Sequence, residues 1–183
     1  VLASASPRRA AILRALGIAH VVRPAHLDES LHPGEAGDAA ALRLAREKAA
    51  AIAAEASLPV LAADTVVLLD GRALGKPEHA DDAAAMLRAL AGRAHEVVTG
   101  VCVAHGGREA SGLERTRVVF GPMNDAEIAA YVATGEPMDK AGGYHVDGRA
   151  ALYIERVEGS PSNVAGLPVR LVGRLLGELG LDP

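Results

Sequence analysis

Val60-Leu61-Ala62-Ala63-Asp64-Thr65-Val66-Val67-Leu68-Leu69-Asp70-Gly71 is the stretch on which the reading of the fold turns. Its first ten residues are too continuously apolar for a strand with one wet face, so a strand buried on both faces of a sheet is expected. Asp70-Gly71 is the residue pair that a tight two-residue hairpin favours. Asp64-Thr65 interrupts the apolar run. A carboxylate there is costly to bury unless it is paired or bound to a metal, or satisfied by backbone donors at the strand's end.

Upstream, Val1-Leu2-Ala3 reads as a strand end, and Pro7 suits the first position of a helix running to Leu16, with Ser6 as N-cap and Gly17 beyond. A second helix is expected from about Asp38 through Leu42, Ala45, Ala49 and Ile52, apolar at helical spacing. Downstream, Gly75-Lys76-Pro77 is a turn, and Asp81 or Asp82 is expected to cap a helix that ends at Leu90 before Gly92. Val97–Ala104 reads as a strand, His105-Gly106-Gly107 as a turn, and the stretch through Val118-Val119-Phe120 as its partner. Asn124 with Glu127 forms a capping-box signature. A further strand is expected over Ala151–Val157 and a last helix from Pro168 through Leu179.

Strands and helices interleave around one clear hairpin, which predicts an α/β protein with a mixed twisted sheet flanked by helices. The length of 183 residues fits a single domain, 1–183. The core must be aliphatic, since one Phe, three Tyr and no Trp are present. That scarcity removes the aromatic platform on which single-stranded nucleic acid is usually stacked, and a net charge of −4 argues against a surface built for nucleic acid. A nucleic-acid polymer is therefore not expected as a partner. Cys102 is the only cysteine, so an intrachain disulfide and a cysteine-rich zinc site are excluded, and Val101-Cys102-Val103 reads as buried strand. No apolar run approaches the ~18–20 residues of a membrane-spanning helix, and no charged-then-apolar signal opens the chain. A cytoplasmic protein without a membrane partner is expected, with a few residues upstream of Val1.

Arg8 and Arg9 sit in the first turn of a helix whose dipole prefers negative charge. They become sensible if an anion binds there: helix N–H groups attract phosphate, Ser4 and Ser6 can donate hydroxyl hydrogen bonds, and guanidinium forks match phosphate oxygens. A nucleoside triphosphate carries about four negative charges; Arg8, Arg9, Lys48 and Lys76 could oppose them while Glu29 and Asp64 hold a hard divalent cation through oxygen. The Gly-rich stretch Gly135–Gly148, with Glu136, Asp139, Lys140 and Asp147, reads as a functional loop. No Walker string and no G-x-G-x-x-G before a helix occurs, no H-x-x-x-H pair suggests zinc, and Ser160-Pro161-Ser162-Asn163 has no nearby His-Asp pair of the nucleophile-elbow kind.

Leu2-Ala3-Ser4-Ala5-Ser6-Pro7-Arg8-Arg9, Ala63-Asp64-Thr65-Val66-Val67, Gly75-Lys76-Pro77 and His95-Glu96-Val97-Val98-Thr99-Gly100 together resemble the Maf family of nucleoside triphosphate pyrophosphatases. Gly135-Glu136-Pro137, Asp139-Lys140-Ala141-Gly142 and Ser162-Asn163-Val164-Ala165-Gly166-Leu167-Pro168 continue the likeness in order. The resemblance implies two lobes around a central cleft, a frequent homodimer, and metal-dependent cleavage (Mg²⁺ or Mn²⁺) of a nucleoside triphosphate to monophosphate and pyrophosphate, a house-cleaning of the nucleotide pool. By the family pattern Asp64 is the essential proton acceptor, with Ser4, Arg8, Arg9, Glu29, Lys48 and Lys76 lining the phosphate and metal site. Arg8 and Thr65 resemble the branch that prefers dTTP and UTP over the 7-methyl-GTP branch. Asp147 departs from that branch's Gln in Gly143-Tyr144-His145-Val146-Asp147-Gly148; a carboxylate only accepts hydrogen bonds, so it offers nothing to a pyrimidine O4. Two rivals stand beside this reading, a non-catalytic nucleotide-binding regulator of septum formation and an inosine/xanthosine triphosphate pyrophosphatase.

Overall fold

The computed structural model of the chain describes residues 1–182. The fold-deciding stretch is strand β1, Val60–Leu69, and Asp70-Gly71 turns it into β2, Arg72–Leu74, pairing Leu69 with Arg72. Both turn residues have positive φ, 51° and 77°, the conformation this hairpin needs and Asp-Gly tolerates. β3 (Ala94–His105) and β4 (Arg108–Phe120) form a second, longer hairpin across Gly106-Gly107. β5, Ile154–Glu158, pairs with β4. The sheet order is β2-β1-β3-β4-β5, and every strand pair in it is antiparallel. Its mixed character comes from the first residues, where Leu2 bridges Leu61 in parallel.

Among the described residues six α-helices flank this sheet: α1 (Pro7–Ala15), α2 (Gly37–Ala53), α3 (Ala80–Leu90), α4 (Asp125–Val132), α5 (Pro161–Val164) and α6 (Val169–Glu178). Ser6 caps α1, its side chain accepting from Arg9 N, and Asn124 and Glu127 close the reciprocal capping box of α4. Two local expectations need correction. The N-cap of α3 is His79; Asp82 serves from the third helical position, accepting from the N–H groups of Glu78 and His79 at 3.1 Å each. A short 3-10 turn, Arg149–Leu152, delays the last strand to Ile154 rather than Ala151. Pro161–Val164 forms a helical turn capped by Ser160, a segment for which the sequence reading named no element.

The core is aliphatic and divided. On one sheet face α2 covers Val60, Ala62, Cys102 and Ala104 with Ala45, Ala49 and Ile52. The contact is close because β3 carries Gly100 there; a Cβ at that position would lie 2.3 Å from Ala41 O. The opposite face carries two separate apolar clusters. One joins α1 and α6 to Ala63, Val101 and Val103; the other joins α3 and α4 to Val67, Val97, Val118 and Phe120. Between them lies a row of buried polar residues, Thr99, Thr116 and Asn163. Cys102 is fully buried, and burial pushes its thiol up to about 11.

Candidate active site

On its outer edge β1 is bridged by Leu2 at Leu61 and meets β2 only from Val67. From Ala62 to Val66 that edge has no sheet neighbour among the described residues. A cleft of about 770 Å³ opens there, lined by Ser4, Ser6, Arg8, Arg9, Glu29, Lys48, Asp64, Thr65 and Lys76, and on its far wall by Asp139, Lys140, Tyr144 and His145. Successive strand side chains point to opposite faces, so Asp64 and Thr65 project from β1 to different sides and the open edge lets both reach one cavity.

On the α2 side, Lys48 is 6% exposed and places Nζ 2.7 Å from Asp64 Oδ1 and 2.6 Å from Glu29 Oε1. The lysine thus draws together carboxylates from a strand and from the 24–36 loop. Burial pushes the Glu29 carboxyl up, but the hydrogen bond from Lys48 and the charges of Lys48, Lys76 and Arg9 outweigh it and hold Glu29 below its ordinary range. Lys48 uses one oxygen of each carboxylate, which leaves the second for another ligand.

On the α1 side, Arg9 is 8% exposed and makes no ion pair among the described residues. Its donors go to neutral acceptors: Nε to Gly166 O at 2.8 Å, Nη1 to Ser4 Oγ at 2.9 Å and Nη2 to Thr65 Oγ1 at 3.0 Å. Burial lowers the Arg9 pKa and Asp64 and Glu29 support its charge from a distance, with Arg8 opposing. A guanidinium has five N–H donors, so two remain for an anion. Ser4 Oγ also accepts from Ser6 N at 3.2 Å, keeping its own proton free to donate.

Arg8 is half-buried and its pKa is lowered by burial, with Asp147 opposing that shift. Lys76 is exposed on the wall beyond β2. Asp147 does not line the cleft: it is exposed, and acts through its charge on Arg8 and His145. Thr65 lines the cleft, but its hydroxyl is engaged with Arg9 and with Thr99 Oγ1 at 2.9 Å, so its part is to hold Arg9. Residues to which sequence reasoning gave no individual role also stand here. Lys140 and His145 lie on the far wall, both lowered by burial and by Arg8. Tyr144 OH bonds buried His95 Nε2 at 2.8 Å, and burial takes the His95 imidazole down to about 4. The Gly-rich irregularity of 135–148 and the family-like run Asp139-Lys140-Ala141-Gly142 were the signals available for this wall.

Among the described residues no group of three or more His, Cys, Asp or Glu side chains converges. Glu29 and Asp64 are nevertheless a fitting donor pair for Mg²⁺ or Mn²⁺, since such ions bind through one or two carboxylates and take their remaining ligands from water and substrate phosphates.

The family described as Maf-like protein matches residues 1–179. A dTTP/UTP pyrophosphatase of Anaeromyxobacter sp. (strain Fw109-5) is 54% identical over 98% of this chain and 89% of its own. Proteins of the same name from Chromobacterium violaceum and Syntrophomonas wolfei are 48% and 47% identical, each over 99% of this chain and 94% and 97% of theirs. A crystal structure of a nucleoside-triphosphatase / dITP/XTP pyrophosphatase from Mycobacterium abscessus covers 67% of this chain and 74% of that one at 18% identity, with a TM-score of 0.38, too distant to carry an argument. The cleft therefore stands in a chain whose likeness to its relatives runs nearly end to end, and the chain belongs to the Maf family.

Proposed function

We propose that this protein hydrolyses nucleoside triphosphates to the monophosphate and pyrophosphate with the help of Mg²⁺ or Mn²⁺, and that dTTP and UTP are the substrates to test first. One observation carries the reading: a buried guanidinium with no carboxylate partner among the described residues faces, across one cleft, a lysine that holds two carboxylates. The first suits a polyphosphate and the second suits water activation. The names of the full-length relatives support the same reaction and pyrimidine preference.

Arg9 and Ser4, at the N-terminus of α1, bind the phosphates through the donors that the protein leaves free. Arg8 and Lys76 add charge against the departing pyrophosphate. Asp64 accepts a proton from the attacking water through the oxygen that Lys48 does not occupy. The water oxygen bonds to the α-phosphorus, the bond from that phosphorus to the bridging oxygen breaks, and pyrophosphate leaves. Lys48, paired with Asp64 Oδ1 at 2.7 Å, holds that carboxylate pointed into the cleft. A divalent cation bound at Glu29 and Asp64 would polarise phosphate oxygens and acidify water.

The test is incubation with canonical and modified triphosphates plus Mg²⁺ or Mn²⁺, resolving monophosphate, diphosphate, pyrophosphate and phosphate. Monophosphate with pyrophosphate is expected, with dTTP and UTP ahead. Diphosphate with orthophosphate would overturn the reading, release from none would favour a non-catalytic regulator, and preference for inosine or xanthosine triphosphate would move the base assignment to purines. A house-cleaning role and a cytoplasmic homodimer are the corresponding proposals for its setting.

A further inference from the structure

Arg9 does not hold itself. Its Nη2 donates to Thr65 Oγ1 at 3.0 Å, Thr65 and Thr99 share a hydrogen bond of 2.9 Å, and Thr99 Oγ1 donates to Asn163 O at 3.4 Å. Each hydroxyl has one proton. Because Arg9 can only donate and the Asn163 carbonyl can only accept, the chain has one direction: guanidinium to Thr65, Thr65 to Thr99, Thr99 to the carbonyl. Thr99 is fully buried and belongs to the polar row between the two apolar clusters. Asn163, also fully buried, is pinned by Nδ2 bonds to Val97 O at 2.9 Å and Thr116 Oγ1 at 3.0 Å. Three residues further on, Gly166 O takes Arg9 Nε at 2.8 Å. One short segment, 163–166, therefore fixes the guanidinium from two directions.

We propose that Thr99 and Asn163 are positioning residues for the anion-binding arginine: the directed hydroxyl chain, anchored by the Asn163 segment in the sheet, fixes the plane of the Arg9 guanidinium before any phosphate arrives. The inference rests on the reading that Arg9 grips a polyphosphate. Thr99 touches no substrate and acts through Thr65. A largely buried hydroxyl chain with one donor direction is rigid, since turning Thr99 breaks a hydrogen bond that nothing nearby replaces. A pre-set guanidinium loses nothing to ordering when the ligand binds.

The experiment compares Thr99→Val, Thr99→Ser and Arg9→Lys by titration calorimetry with inorganic tripolyphosphate, a readout that needs no turnover, and by steady-state kinetics with dTTP. Thr99→Val is expected to bind tripolyphosphate about tenfold more weakly, the size expected when a buried hydrogen-bond partner is lost, with a matching fall in kcat/KM. Thr99→Ser, which keeps the hydroxyl, should return both to within about twofold of the original, and in an Arg9→Lys background Thr99→Val should add less than about twofold. Native affinity in Thr99→Val, equal impairment in Thr99→Ser, or full additivity with Arg9→Lys would each overturn the proposal. NMR of the unsubstituted protein gives a check free of any variant's folding: one slowly exchanging arginine Nε–H, assigned by its loss in Arg9→Lys, is expected, and its absence counts against a fixed guanidinium. A protein that binds tripolyphosphate in a Thr99-dependent way yet turns over no triphosphate would refute the proposed activity and leave the positioning role standing.

Discussion

Lys48 Nζ stands 2.7 Å from Asp64 Oδ1, and the lysine is the more buried of the two. The ammonium that a mid-helix position beside Glu47 would ordinarily send to solvent is turned instead into the cleft, where two carboxylates receive it. A charge so placed must stay paired, and so must its partners. The chemistry proposed for this site depends on that relationship.

Asp64→Asn keeps shape and one hydrogen-bond acceptor but removes the proton acceptor. The protein should fold with an unchanged circular dichroism spectrum and turn over at least ~10²-fold more slowly. Near-normal turnover would remove Asp64 from the proposed role.

Lys48→Gln leaves Asp64 and Glu29 facing each other without a cation between them. Like charges disfavour ionisation, and Glu29, now held below its ordinary range by Lys48 against the upward push of burial, should move up. A carboxyl whose pKa is lowered keeps its charge until pH falls through the lowered value, so the original enzyme should stay active into mildly acid solution. In Lys48→Gln the acid limb of kcat/KM should shift to higher pH. An unmoved acid limb would show that Lys48 does not govern the Glu29 carboxylate.

Gly100→Ala tests the packing that delivers Lys48. The new Cβ would meet Ala41 O at 2.3 Å and Leu42 Cα at 2.7 Å, so α2 must move away from β3, at a cost of about 1–3 kcal/mol. Urea unfolding should report that loss, and turnover should fall with it because α2 carries Lys48. Unchanged stability would mean that the helix is not seated as described.

His95 supplies a pH dependence of stability. Burial lowers its folded pKa to about 4, against about 6.5 in an unfolded chain. The unfolded state therefore binds the extra proton first, and stability is complete above about pH 6.5 and is lost as pH falls toward 4, by on the order of 3 kcal/mol. Thermal unfolding between pH 7 and 4 should show this loss, and His95→Gln should flatten that part of the profile. An identical slope in the variant would assign the loss to other groups.

Much of this molecule is legible in short windows of sequence. Ser6-Pro7 starts α1, Asp70-Gly71 closes the first hairpin and Asn124 with Glu127 caps α4, because caps and turns are decided by atoms within a few residues of one another. The candidate residues were legible for a related reason: a carboxylate in an apolar strand and arginines at a helix start violate local rules, and such violations gather at functional sites. The misplaced start of β5 and the unexpected turn at Pro161 mark where local signals were weak, since an Ala-rich or Ser-rich segment suits several conformations.

By itself, then, the sequence determined the elements, the hairpins, the aliphatic core and the list of charged residues that need an explanation. Only the tertiary structure decided which charges meet. Asp64 and Thr65 are neighbours in the chain, yet pleating sends one to Lys48 on α2 and the other to Arg9 on α1. Arg9 is fixed by Gly166, 157 positions away, while Asp147 stays outside the cleft. Such pairings depend on strand order and on which edge of β1 is left open. Both follow from how apolar faces are buried against one another across the whole chain, and no short window contains that information.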